Sequence, residues 1–156
     1  MTKINTGIST ENRQRLAEGL SRVLADSYTL YLKTQNYHWN VEGPNFQSLH
    51  ELFEEQYTDL AGAVDELAER IRALGHPAPG SFTAFSKLSA VREDDGQPDW
   101  QTMVRRLAED QETVVGTCRQ VVDLATEAQD HVTEHVMADR MQVHEKNAWM
   151  LRSHLS

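Results

Sequence analysis

Apolar residues return at steps of three and four from Leu16 onward, through Leu20, Val23, Leu24, Tyr28, Tyr31 and Leu32. That spacing marks an amphipathic α-helix. It predicts a first helix from about Thr10 to the His38 region, with Gly43-Pro44 ending or turning it. Phe53, Tyr57, Leu60, Val64, Leu67, Ile71 and Leu74 then alternate steps of four and three without a break, the seam of an antiparallel bundle. A second helix should run from near Asn45 to Leu74, with Gly75 as its C-cap and Pro77 shortly after. Ser81 to Ala90 suggests a short helix inside a long connection.

A third long helix should begin near Pro98, which a first turn accepts. Its stripe runs through Trp100, Val104, Leu107, Val114, Cys118, Val121 and Ala125, with Gln111 as the polar exception. The last helix should span about Asp130 to Leu155, with Met137, Met141, His144, Ala148, Leu151 and Leu155 facing inward. Trp149 and Tyr57 also read as core. Strand signals are absent. The fold class is all-α, a four-helix bundle with one long crossover and a short helix within it, which is ferritin-like connectivity.

Composition narrows the setting. A chain of 156 residues makes one domain, 1–156, with residues 1–9 as a short N-terminal tail. No run reaches the length of a membrane span, and the N-terminus lacks the apolar core of a signal peptide, so a cytoplasmic protein is expected, with no membrane partner. Cys118 is the single cysteine and cannot form an internal disulfide, in keeping with a reducing compartment. The net charge of −9 disfavours general nucleic-acid binding, and no basic patch offsets it.

The candidate chemistry lies off the apolar stripe of the second helix. His50, Glu54, Asp65 and Glu69 cluster roughly 110–120° from that stripe at 100° per residue, so they sit on a flank and not in the bundle core. His50/Glu54 and Asp65/Glu69 are i, i+4 pairs, and each can converge on one ion. Glu54 and Asp65 are about 16 Å apart along the axis, too far to share an ion within one chain. Either each pair is a separate surface feature, or a second subunit's helix packs antiparallel and brings its Asp65/Glu69 to this His50/Glu54. A two-fold axis would make two identical sites. His38 could complete either.

A bundle-core diiron site would use two Glu-x-x-His motifs. The residues three before the seven histidines are Gln35, Gln47, Ala73, Ala128, Val132, Met141 and Leu151, so the motif is absent, which argues for the interface site. The plainer account is that flank carboxylates are solvated charge.

The run His38-Trp39-Asn40-Val41, Gly43, Phe46, His50-Glu51 and Glu54, continued by Asp65 and Ala68-Glu69-Arg70, closely resembles the signature of the Dps family of mini-ferritins. The resemblance covers essentially the whole chain. It implies a hollow homo-dodecamer built from two-fold dimers, with a ferroxidase centre holding two iron ions at each dimer interface. The family's ligands carry onto His38, His50 and Glu54 of one subunit with Asp65 and Glu69 of its two-fold mate. Glu54 stands where the family often has Asp; it reaches further and can chelate.

The resemblance also implies Fe(II) oxidation with hydrogen peroxide as preferred oxidant, O2 being slower, and ferric mineral stored in the cavity as protection against oxidative damage. Trp39 directly follows a proposed ligand and could donate an electron to a partly oxidised site, or else anchor its helix by packing. Glu51 and Glu55 are candidates for seeding mineral or plain solvated charge. Asp130, Glu134, His135 and Asp139, with His131, fall where the family lines an acidic pore; acidic residues in a first turn also favour the helix dipole. His144 reads as a satisfied core histidine, while His76 and His154 read as surface.

Two rivals remain in view. The first, a DNA-compacting nucleoid protein, is disfavoured by the acidic charge and by the expected absence of a Lys-rich tail, Lys3 being the one cation in the first ten residues. The second, an oxygen-activating diiron enzyme, would need an inward-facing site. Zinc also suits the same donors.

Overall fold

The computed structural model describes residues 2–156 and contains five helices: α1 Thr10–Asn40, α2 Phe46–Ala73, α3 Phe82–Leu88, α4 Trp100–Ala128 and α5 His131–Arg152. No strand occurs among the described residues. Side-chain caps start four of the helices. Ser9, Ser81, Asp99 and Asp130 each accept a hydrogen bond from the backbone N–H three residues on, which satisfies a donor the helix itself cannot. α2 ends in a Schellman motif, with Gly75 N–H donating to Arg72 O and His76 N–H to Ile71 O. Gly75 has φ +96°, and a Cβ there would lie 2.5 Å from Ile4 Cδ1. α4 ends the same way with Gln129 at φ 56°, a left-handed residue that carries a Cβ.

The pairings fix the topology. Lys33 meets Asp110 and Asp26 meets Thr117, so α1 and α4 run antiparallel. Asp59 meets Arg140 and Arg70 meets Asp130, so α2 and α5 do as well. α1 and α2 are joined by the five residues 41–45, while residues 74–99 cross back along the bundle to begin α4. α3 rides on that crossover, stacking Phe85 on Tyr28 of α1 with ring centroids 5.0 Å apart.

α1 also holds the crossover by polar contacts. Asp26, fully buried, accepts from Ala90 N–H at 2.7 Å and from the Thr117 hydroxyl at 2.6 Å. Lys33 Nζ donates to Arg92 O at 2.8 Å and approaches the Asp110 carboxylate to 2.7 Å as an ion pair off the hydrogen-bond axis. The Tyr37 hydroxyl donates to Asp94. Charge is buried here only where a partner meets it.

The core departs from the apolar reading in three places. Leu32 is 44%, Leu155 40% and Trp149 65% exposed. The buried face of α1 continues from Leu24 through Ser27, Leu30, Thr34 and Tyr37, a helical stripe that admits polar residues. Following hydrophobicity instead leads through Tyr28 and Tyr31 to Leu32, on a neighbouring face. On α5 the inward stripe holds Ala148 and Leu151, which turns Trp149 outward. Leu155 lies beyond the last helical residue. Tyr57 is half-buried. Cys118 is fully buried, and burial pushes its thiol up to about 12, so it packs as a small hydrophobe.

Candidate metal centre

His38 lies in the last turn of α1 and His50 in the second turn of α2, on either side of the tight 41–45 connection. The two imidazoles stack with centroids 3.8 Å apart and planes 14° apart. Each ring is held by the other's backbone. His38 Nδ1 lies 2.6 Å from His50 O, and His50 Nδ1 lies 2.7 Å from His38 O. A carbonyl oxygen only accepts, so Nδ1 carries the hydrogen in both rings. In the neutral imidazole Nε2 then keeps its lone pair, which is the tautomer a metal ligand requires. Phe46 stacks on His50 at 5.1 Å, and Tyr57 meets His38 edge-on at 5.2 Å. His38 is buried and His50 half-buried, so packing limits ring rotation.

Glu54 follows His50 by one turn of α2 and is exposed. Asp65 and Glu69, also exposed, lie one turn apart on α2. The neighbouring Asp65 carboxyl, through its side chain and then its charge, raises Glu69 from its ordinary value. Arg70, next in the chain, turns away from them.

Within one chain the two halves stay apart. Among the described residues no three His, Cys, Asp or Glu side chains come close enough to hold a metal ion. The His38–His50 pair lies at the α1–α2 connection and the Asp65–Glu69 pair lies further along α2, and a single copy does not bring them together. Trp39 is 60% exposed within one chain and borders a groove lined by Leu32 and Phe82.

The start of α5 divides into two groups. Asp130 is buried: it caps the helix through Thr133 N–H and pairs with Arg70 Nη2 at 2.9 Å. Burial alone would raise its carboxyl, but the Thr133 bonds and the Arg70 guanidinium outweigh burial and hold it below the usual range. With its carboxylate 1% exposed, Asp130 cannot line an aqueous pore, which corrects that part of the reading. His135 and Asp139 are exposed and pair at 3.3 Å, Glu134 accepts from the Thr126 hydroxyl, and His131 is exposed.

His144 is a satisfied core histidine. Its Nδ1 donates to Gln111 Oε1 at 2.6 Å, and Arg140 Nη2 donates to its Nε2 at 3.3 Å. Burial, then the Arg140 charge, push its pKa down to about 3. Sequence reasoning missed the carbonyl acceptors of His38 and His50, because backbone positions leave no mark in residue type. It also missed the ring contacts of Phe46 and Tyr57, although both residues lie within or beside the motif.

Comparison with known proteins gives one consistent picture. The ferritin-like domain family matches residues 17–156. The chain is 43% identical over 155 residues to a low temperature-induced protein of Nostoc, covering 98% of this chain and 87% of that protein. It is 36% identical over 148 residues to the DNA protection during starvation protein of Brevibacillus brevis, covering 95% of this chain and 99% of the relative. The crystal structure of the Dps protein of Vibrio cholerae O1, described as a member of a broad superfamily of ferritin-like diiron-carboxylate proteins, matches with a TM-score of 0.94 at 35% identity, over 100% of this chain and 98% of that one.

Proposed function

Because the chain belongs to the Dps family of ferritin-like proteins, whose role is iron storage as a mini-ferritin, we propose that it oxidises Fe(II) at centres shared by two copies, using hydrogen peroxide in preference to O2. The ferric product is stored in a homo-dodecameric shell. The observation that carries this reading is the His38–His50 pair, in which both Nδ1 atoms are spent on carbonyls and both Nε2 atoms are left to bind.

His38, His50 and Glu54 of one copy, with Asp65 and Glu69 of its two-fold mate, form a nitrogen–oxygen donor set suited to first-row metals and open to turnover. An isologous contact generates two such sites per dimer. Trp39 and Phe46, 60% and 46% exposed beside the histidines, are apolar surface of the kind a partner covers. Two bound Fe(II) ions give one electron each to one peroxide. Its O–O bond breaks as two protons arrive, leaving two Fe(III) and two waters, so no hydroxyl radical is released. Glu134, His135 and Asp139 are the remaining candidates for an acidic uptake pore, and Glu51 and Glu55 for seeding mineral.

The test is anaerobic loading of the assembled protein with Fe(II), followed by peroxide titration under ferric absorbance, in wild type and Asp65→Ala. Rapid oxidation at two Fe(II) per peroxide that Asp65→Ala abolishes supports the reading. Equal slow rates in both would overturn it. DNA compaction, the rival reading, is opposed here by the net charge of −9. No retardation of DNA is expected at physiological salt and neutral pH.

A further inference from the structure

Three tyrosines lead away from His38 in unbroken ring contact. Tyr57 meets His38 edge-on at 5.2 Å, Tyr31 meets Tyr57 edge-on at 5.6 Å, and Tyr28 lies 6.0 Å from Tyr31. Each spacing falls in the range of directly packed aromatic pairs. The line passes from α2 to α1 and runs from the level of His38 to that of Tyr28, about 15 Å along α1. It ends where Tyr28 stacks on Phe85 and lines an apolar groove with Leu32 and Phe82. Phenylalanine gives up an electron far less readily than tyrosine, so Tyr28 is the last oxidisable ring in this line of ring contacts, although Trp39 also borders the groove. The three rings are half-buried.

We propose that Tyr57, Tyr31 and Tyr28 form a one-electron relay that draws oxidising equivalents off the His38 end of the iron site. The inference rests on the ferroxidase reading above. It concerns the case in which peroxide meets a centre holding a single Fe(II). Peroxide needs two electrons and the iron supplies one. Tyr57 supplies the second, its phenol losing that electron and a proton to become a neutral phenoxyl radical. One peroxide, one Fe(II), one phenol and one further proton thus give two waters, one Fe(III) and one phenoxyl radical. Tyr57 then takes an electron and a proton from Tyr31, and Tyr31 from Tyr28. Each transfer moves the unpaired spin one ring further from the metal. Trp39 follows His38 in sequence, but the ring contact of His38 on this side is made by Tyr57.

The experiment loads the assembled protein anaerobically with one Fe(II) per centre, adds peroxide, freezes within milliseconds and records the electron paramagnetic resonance spectrum. Ferric absorbance is followed in parallel. Wild type is expected to show a tyrosyl signal that Tyr57→Phe largely removes, because the variant keeps the ring and deletes only the oxidisable hydroxyl. Tyr28→Phe should retain a radical but change its hyperfine pattern, the spin now stopping at Tyr31. Site-dependent iron oxidation with no tyrosyl signal, or with the same signal in Tyr57→Phe, refutes the relay and leaves the ferroxidase reading standing. A tryptophanyl signal lost in Trp39→Phe refutes it too. Oxidation unaffected by Asp65→Ala removes the ferroxidase reading, and the relay with it.

Discussion

His144 and the His38–His50 pair belong to one bundle and end with opposite capacities. The His144 ring sits between Gln111 and Arg140 with both nitrogens bonded and no surface exposed. Desolvation and a neighbouring guanidinium keep it neutral, with a pKa near 3. His38 and His50 each spend one nitrogen on a backbone carbonyl and keep the other. In all three, Nδ1 carries its hydrogen to an oxygen acceptor. The difference lies in the second nitrogen: bonded inside the core it specifies packing, and left free on a flank it can bind a metal. Arg140 reinforces the distinction, since a buried cation on the ring repels the ion a ligand would attract. A donor set becomes a site through what its neighbours leave unsatisfied.

The sharpest way to break this comparison is to delete one histidine from each region. His50→Ala should lower the rate of peroxide-driven Fe(II) oxidation by about 100-fold or more, beyond the effect of losing an outer-shell partner, with little change in unfolding free energy. His144→Leu should do the reverse, leaving oxidation intact while costing about 2–3 kcal/mol through the buried Gln111 carbonyl and Arg140 donor it orphans. Iron kinetics and denaturant unfolding on both variants check this crossing pattern; a large oxidation defect in His144→Leu would remove the distinction.

Asp130→Ala should cost about 2 kcal/mol by removing a cap and stranding Arg70. Oxidation should again be spared, because Asp130 serves the fold and not a pore; chemical denaturation alongside stopped-flow oxidation measures both.

Acid gives a comparable effect by a different route. Above pH 6.5 His144 is neutral folded or unfolded; below it only the unfolded ring takes a proton, because the folded pKa is about 3. Stability therefore falls as the pH drops through this window, by about 2 kcal/mol from this group between pH 7 and pH 5. Comparing denaturation at the two pH values in wild type and His144→Leu should show that share of the loss disappearing in the variant.

The smallest effect concerns the ends of two helices. Gly75 takes its positive φ freely, whereas Gln129 holds φ 56° with a side chain. Gln129→Gly should raise stability by about 0.5–1 kcal/mol in thermal or denaturant unfolding with no change in oxidation, part of the relief being offset by added freedom in the unfolded chain.

These regions also show what a sequence can carry. Helix positions follow from three-and-four spacing, so all five elements and the Gly75 cap were legible to within a few residues. His38, His50, Glu54, Asp65 and Glu69 stood out because polar residues recurred at helical steps off the apolar stripe. Other features depend on partners distant in sequence. Hydrophobicity pointed Trp149 and Leu32 inward, yet the core of α1 runs through Ser27, whose hydroxyl donates to Val23 O within the helix, and Thr34, which is enclosed only after packing. The burial of Asp26 and Lys33 depends on residues of the crossover that lie about sixty positions away in sequence. Asp130 fitted a pore lining until Arg70, sixty residues away, closed on it. The tautomer of His38 and His50 rests on two carbonyl groups that no residue type announces.

The central claim is that one active site takes residues from two copies, and the most direct measurement is complementation between inactive variants. His50→Ala and Asp65→Ala, each inactive alone, are co-expressed and purified as mixed assemblies, and peroxide-driven Fe(II) oxidation is measured. In a mixed dimer one site carries both defects and the other carries neither, so random assembly should restore about a quarter of the wild-type sites. Mixed assemblies as inactive as either parent would place His50 and Asp65 in the same site of the same copy, and would contradict the account.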